Sequence, residues 1–208
     1  MTRQNRVWPM GEIVADPARG LFMGNRGCLH DAEGSIGAAR WRHRNWITCA
    51  LSFNGRKRSL MSPGKYTELF FLDEAVACAA GHRPCAECRR ADWQGFRTVW
   101  SRVFGPMKAA EIDRILHVAR LEGQRQRRHT ALAGDLPDGA IVLVDDAAHL
   151  VLAGEALPWS PAGYGRACPL PDGEVTVLTP APMVAVLRAG WKPVLHSSAL
   201  ADSERPQG

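Results

Sequence analysis

YTELFFLDEAVACAAGHRPCAECRR, residues 66–90, decides how the rest of the chain is read. Residues 66–72 form an apolar, β-prone run. Asp73 then stands where a side chain caps a helix over 74–80, and Gly81 stands where a left-handed residue ends one. Behind Pro84, Cys85-Ala86-Glu87-Cys88 places two thiols three residues apart. A tight turn with that spacing points both sulfurs at one spot, as a tetrahedral ion or a redox disulfide requires. The stretch therefore predicts a strand, a capped helix, a glycine break and a cysteine knuckle.

The run DEAVACAAGHRPCAEC, Asp73 to Cys88, resembles the end of the zinc-binding N-terminal domain of Ada-type DNA-repair proteins. In that family an "EA…AG" helix leads into an Arg-Pro-Cys-x-x-Cys knuckle. The resemblance implies a zinc ion held by Cys85 and Cys88. Ada-type domains carry two further cysteines upstream as a Cys-x3-Cys pair, one of them the methyl acceptor. This chain has only isolated Cys49 and the triplet Cys28-Leu29-His30 there, so methyl-phosphotriester repair does not carry over.

A structural zinc fills about four positions from protein nitrogen and sulfur. The expected ligand set is Cys85, Cys88, Cys28 and Cys49, ranked in that order, with His30 as the alternative. Residues 20–30 read as a strand entering a glycine-permitted turn that presents Cys28 and His30 on a loop. Residues 46–53 (WITCALSF) read as a strand with Asn54-Gly55 as its hairpin turn, returning to a second strand over 66–72. His82 is committed to the helix exit. Cys78 reads as a small buried hydrophobe, and Cys168 sits in a proline-rich loop. Toward the N-terminus, Val7, Trp8, Ile13 and Val14 suggest one short strand.

Downstream of the knuckle, residues 91–104 space Trp93, Phe96, Trp100 and Val103 at helical intervals, and a second helix is expected over 108–124. On it, Asp113 and His117 share a face; with Glu87 they are the candidates for proton transfer. Residues 125–134 read as a basic, exposed linker between an N-terminal region (1–124) and a β-rich module (135–199), before a polar tail (200–208). In that module the hairpin 141–144/149–152, a loop over 157–171, a strand over 174–178 and a helix capped by Thr179 are expected. The fold class is α+β: a zinc-knuckle region with a hairpin and two helices, packed against the β-rich module.

The chain has 208 residues, 46% hydrophobic and 23% charged, a globular composition. Neither a membrane-spanning run nor a signal-peptide core is visible, so a soluble cytoplasmic protein is expected. Six cysteines are too few for a disulfide scaffold. The net charge of +5 comes in clusters. Arg42, Arg44, Arg56, Lys57, Arg58, Arg89 and Arg90 are the expected phosphate contacts, with DNA or RNA as partner. The leading reading is a small zinc-binding protein acting on or near nucleic acid, with DNA repair or processing as its setting. One alternative is a metalloenzyme with catalytic zinc, hydrolase- or deaminase-like, since Pro-Cys-x-x-Cys is half of the zinc-deaminase signature. Others are a thiol redox protein or a protein-interaction module.

Overall fold

A computed structural model describes residues 2–55 and 59–200. It is a mixed α+β structure built on two main sheets. The first takes its strands from the N-terminal part: β1 (Gln4–Val7), β2 (Ile13–Ala15), β3 (Phe22–Asn25), β4 (Ile47–Ala50), β5 (Leu69–Phe71) and β6 (Arg83–Pro84). Their order is β2-β1-β5-β3-β4-β6, with β1/β5 and β4/β6 parallel and the other pairs antiparallel. The single strand expected around Val7 to Val14 is thus a hairpin of two.

Between β5 and β6 lies α1 (Glu74–Ala79), capped as predicted: Asp73 accepts from the Val76 amide, and Gly81 follows with φ +85. Every residue of α1 is buried. Asn54 and Gly55 do adopt positive φ, but β4 and β5 are not partners. β3 lies between them, because Met23 pairs with both Cys49 and Phe70. A turn conformation fixes local geometry only; the ladder goes to whichever strand buries the shared face best.

Two helices follow the knuckle, α2 (Arg90–Phe104) and α3 (Ala109–Arg120). Trp93, Phe96 and Trp100 are buried, whereas Val103 is exposed. The second helix stops four residues short of its expected end. At Arg120 the chain becomes the small hairpin of β7 (Leu121–Glu122) and β8 (Arg125–Gln126), turned by Gly123 at φ +61.

The expected 125–134 linker is instead β8 and β9 (His129–Leu132), and β9 forms the edge of the second sheet. That sheet adds β10 (Ile141–Val144), β11 (Ala147–Leu152), β12 (Glu155–Ser160), β13 (Gly163–Tyr164), β14 (Cys168–Pro169) and β15 (Glu174–Val177). Its order is β13-β12-β11-β10-β15-β9, with β14 on β12. The predicted β10/β11 hairpin is present, with Asp145 and Asp146 both at positive φ as a tight two-residue turn requires. Residues 157–171, expected as a loop, carry parts of three strands; Pro169 sits on the outer strand β14, whereas Pro158 lies within β12 opposite His149. α4 (Ala181–Arg188) closes the fold. Thr179 does not cap it: Pro180 is the cap residue, and the Thr179 hydroxyl accepts from the Ile141 amide.

Two apolar cores flank the second sheet. Ile141 and Leu150 join α1, Leu69 and Phe71 on one side. Val142, Val151 and Val177 join α2, α3 and α4 on the other. Burial of both faces explains the continuous apolar runs of β10 and β11. Each core draws on residues from both sides of the expected linker, so the two regions share their interior. Among the described residues, no helix is long and apolar enough to cross a membrane.

Candidate metal centre

Strand alternation sorts β3, β4 and β5 into two faces. Leu69, Phe71 and Thr48 point into the core. Cys49, Ile47, Met23, Asn25, Phe70 and Glu68 line the other side, the wall of a cavity of about 670 Å³. Cys49 is therefore not a core thiol.

The knuckle arrives beside it through the backbone. β6 runs parallel to β4, pairing Ile47 with Arg83 and Thr48 with Pro84. The Arg83 amide donates to the Trp46 carbonyl at 3.2 Å and the Cys85 amide to the Thr48 carbonyl at 3.0 Å. Pro84, which has no amide hydrogen, occupies the position between these two bonds. The turn 85–88 then leads directly into α2.

The outcome is a triad. One sulfur from each of Cys49, Cys85 and Cys88 lies within 4.8 Å of the others. Sulfurs bound tetrahedrally to one ion at about 2.3 Å lie roughly 3.8 Å apart, so a contraction of about 1 Å or less would seat them. The three thiols can hold a metal ion. A hydrogen bond from Cys49, with amide donation from Cys88 and Glu87, draws the Cys85 thiol down to about 5. The shared hydrogen bond pushes Cys49 up, and burial pushes Cys88 up. Metal ligation takes cysteine as the thiolate, so binding of a cation here would release protons.

The other expected ligands lie elsewhere. The Cys28 sulfur sits 3.6 Å from the His30 carbonyl and is not part of the triad. Both His30 nitrogens have partners, Nδ1 the Thr67 hydroxyl at 2.7 Å and Nε2 the Ser62 carbonyl at 3.2 Å. The ranking of Cys28 above Cys49 is reversed because the loop after Gly27, at φ +101, is tied to the 62–67 segment. Among the described residues, no fourth His, Cys, Asp or Glu joins the cluster.

Asp113 and His117 do not form a pair. Asp113 takes a bidentate ion pair from Arg83, with oxygens 2.9 and 2.8 Å from Nε and Nη2. His117 Nδ1 lies 2.9 Å from Arg120. Burial and the neighbouring Arg120 and Arg44 lower His117 to about 4. Asp113 ties α3 to β6, His117 packs edge-on against Trp41 and Trp46, and neither lines the thiol cavity. Glu87 lines the thiol cavity.

Of the expected phosphate contacts, Arg42, Arg44 and Arg90 are exposed. Arg89 is not available: it is buried, bonds Glu74 and Asp92, and lies 4.3 Å over the Phe22 ring. Arg56, Lys57 and Arg58 lie outside the described residues.

Sequence reasoning missed Glu68, 1% exposed beside this cavity. Its Oε2 accepts from the Met61 amide at 2.7 Å, and Oε1 is buried with no partner among the described residues. The signal was available in YTELFF, where period-two alternation sets Tyr66, Glu68 and Phe70 on one face.

A scan against protein-family models, a search of curated proteins and a search of solved structures each found no match.

Proposed function

We propose that this protein is a zinc-dependent enzyme of the hydrolase or deaminase type, with Cys49, Cys85 and Cys88 as the protein ligands. One observation carries the reading: the cluster has three thiols rather than four ligands, and all three residues line a cavity large enough for a small substrate. Structural zinc is closed by four protein ligands, whereas catalytic zinc keeps a position open. Thiolates favour zinc over harder divalent ions, and the resemblance of 73–88 to Ada-type domains supports the same ion. When bound, it would act as a Lewis acid toward a group at its open position.

The chain's own residues divide the remaining work. Glu87, in the knuckle and on the cavity wall, is placed to accept and return a proton. Glu68 lies two strands and two residues from Cys49, roughly 12 Å between backbones at ordinary sheet spacing. That is too far for it to act on the metal, and its free oxygen suits a hydrogen bond to a distal substrate N–H or O–H. Met23, Ile47 and Phe70 form the apolar floor between these points and shed water from the bound substrate.

A second reading keeps zinc structural and nucleic acid as partner, favoured by the exposure of Arg42, Arg44 and Arg90. Elemental analysis of protein purified without added metal, followed by chelation, separates the two. One zinc per chain, removed with the fold retained by circular dichroism and lost in Cys85→Ser, supports the enzyme reading. Unfolding on removal supports the structural one, and DNA and RNA binding is then measured over a salt series. Absence of any metal refutes both.

A further inference from the structure

Among the described residues, four arginines are buried to 5% exposure or less: Arg26, Arg83, Arg89 and Arg120. Arg83 and Arg89 each grip a carboxylate. Arg26 and Arg120 have none among the described residues. Arg26 donates to the carbonyls of Gly11 at 3.1 Å and Ala80 at 3.4 Å, and its Nε lies 3.4 Å from His82 Nε2. Arg120 donates to the carbonyls of Gly81 at 2.8 Å and Arg44 at 2.6 Å, and its Nε is buried with no partner among the described residues. Carbonyl dipoles satisfy geometry but leave two positive charges without a counter-ion, a costly arrangement in a protein interior.

The two guanidinium carbons lie 4.1 and 3.7 Å from the ring centre of Trp46, so both cations gather at one indole. The surroundings register the excess charge. Burial, with little counter-charge, lowers Arg26 to about 9 and Arg120 to about 8. His82, fully buried beside them, is held well below its usual range, first by burial and then by the two guanidiniums.

Arg26, Arg120 and Trp46 line a cavity of about 200 Å³, with Arg40 and Arg125 also in its wall and Glu12 as its one acidic residue. Gln126, also in the wall, is oriented by the carbonyls its amide nitrogen meets, and its buried Oε1 has no donor among the described residues. The pocket lies behind the sheet from the thiols: Asn25 and Ile47 face the thiol cavity, while their neighbours Arg26 and Trp46 face this one.

We propose that this pocket binds a compact phosphate dianion, either inorganic or the terminal monoester of a nucleotide or nucleic-acid strand. Two guanidiniums without a carboxylate partner supply the positive charge that a phosphate dianion complements, and a low-dielectric surround strengthens that attraction. The site is independent of the metal reading, since it shares no residue with the thiol cavity.

The test is calorimetric titration of the full-length protein with inorganic phosphate, pyrophosphate, and a dinucleotide with and without a 5′-phosphate, at constant ionic strength set with sodium chloride. Saturable 1:1 binding with a rise in melting temperature is expected. Arg26→Gln and Arg120→Gln each weaken it about ten-fold or more, while Arg90→Ala binds as wild type. Binding of the 5′-phosphorylated dinucleotide but not its hydroxyl form supports a strand end or nucleotide; binding of inorganic anions alone supports the free ion. The wild-type titration needs no variant. No saturable binding of any probe, or binding untouched by whichever glutamine variant folds, overturns the proposal.

Discussion

Asp113→Ala tests whether the carboxylate once expected at a catalytic position is a structural strut. Arg83 and Asp113 show side-chain exposures of 5% and 7%, with two bonds between them at 2.9 and 2.8 Å. Removing the carboxylate leaves a guanidinium enclosed by the Trp93 ring, 4.4 Å away, with only the Pro84 carbonyl as a partner. Breaking a buried pair from one side costs about 3–5 kcal/mol. For a chain of this size each kcal/mol lowers the melting temperature by roughly 2–4 °C, so a fall of about 6–20 °C is expected. The double variant Arg83→Met/Asp113→Leu should recover most of the loss, because no orphan charge remains. Urea unfolding of the wild type, Arg83→Met, Asp113→Leu and the double variant gives the coupling directly. Equal losses for Asp113→Ala and the double variant would refute the strut. So would a stable Asp113→Ala protein that loses only catalytic activity.

Other expectations follow from the same geometry. Cys28→Ser should keep its metal content by elemental analysis, whereas Cys49→Ser should lose it. Gly81→Ala meets two obstacles, a φ of +85 and a new Cβ that would overlap the Arg120 side chain at Cδ. It should cost at least about 1–3 kcal/mol in urea unfolding and reduce phosphate binding by displacing Arg120. Acid should destabilise the protein through His82 and His117, whose folded values lie below those of the unfolded chain. Their stabilising contribution is complete above about pH 6.5, where neither state binds the proton. It is lost as pH falls toward 4, because the unfolded chain takes up protons that the folded one refuses. Melting temperature against pH should fall over that window, and less steeply in His82→Gln.

What could be read from the sequence was set by neighbours in the chain. The Asp73 cap, the Gly81 stop, the aromatic stripe of α2, the Asp145-Asp146 turn and the Cys85/Cys88 spacing depend on contacts within a few residues, where spacing dictates geometry. Sheet order was beyond reach, because β3 enters between β4 and β5 through pairing that the intervening turns do not encode. Cys49 rather than Cys28 joins the knuckle for the same reason: parallel β6 lands on β4, some 35 residues away. Glu68 was half legible, its face readable from alternation but not the cavity in front of it. Arg26 and Arg120 gave no sequence signal. Ninety-four residues separate them, and only the closing of α3 over the first sheet brings two unpaired charges to one tryptophan.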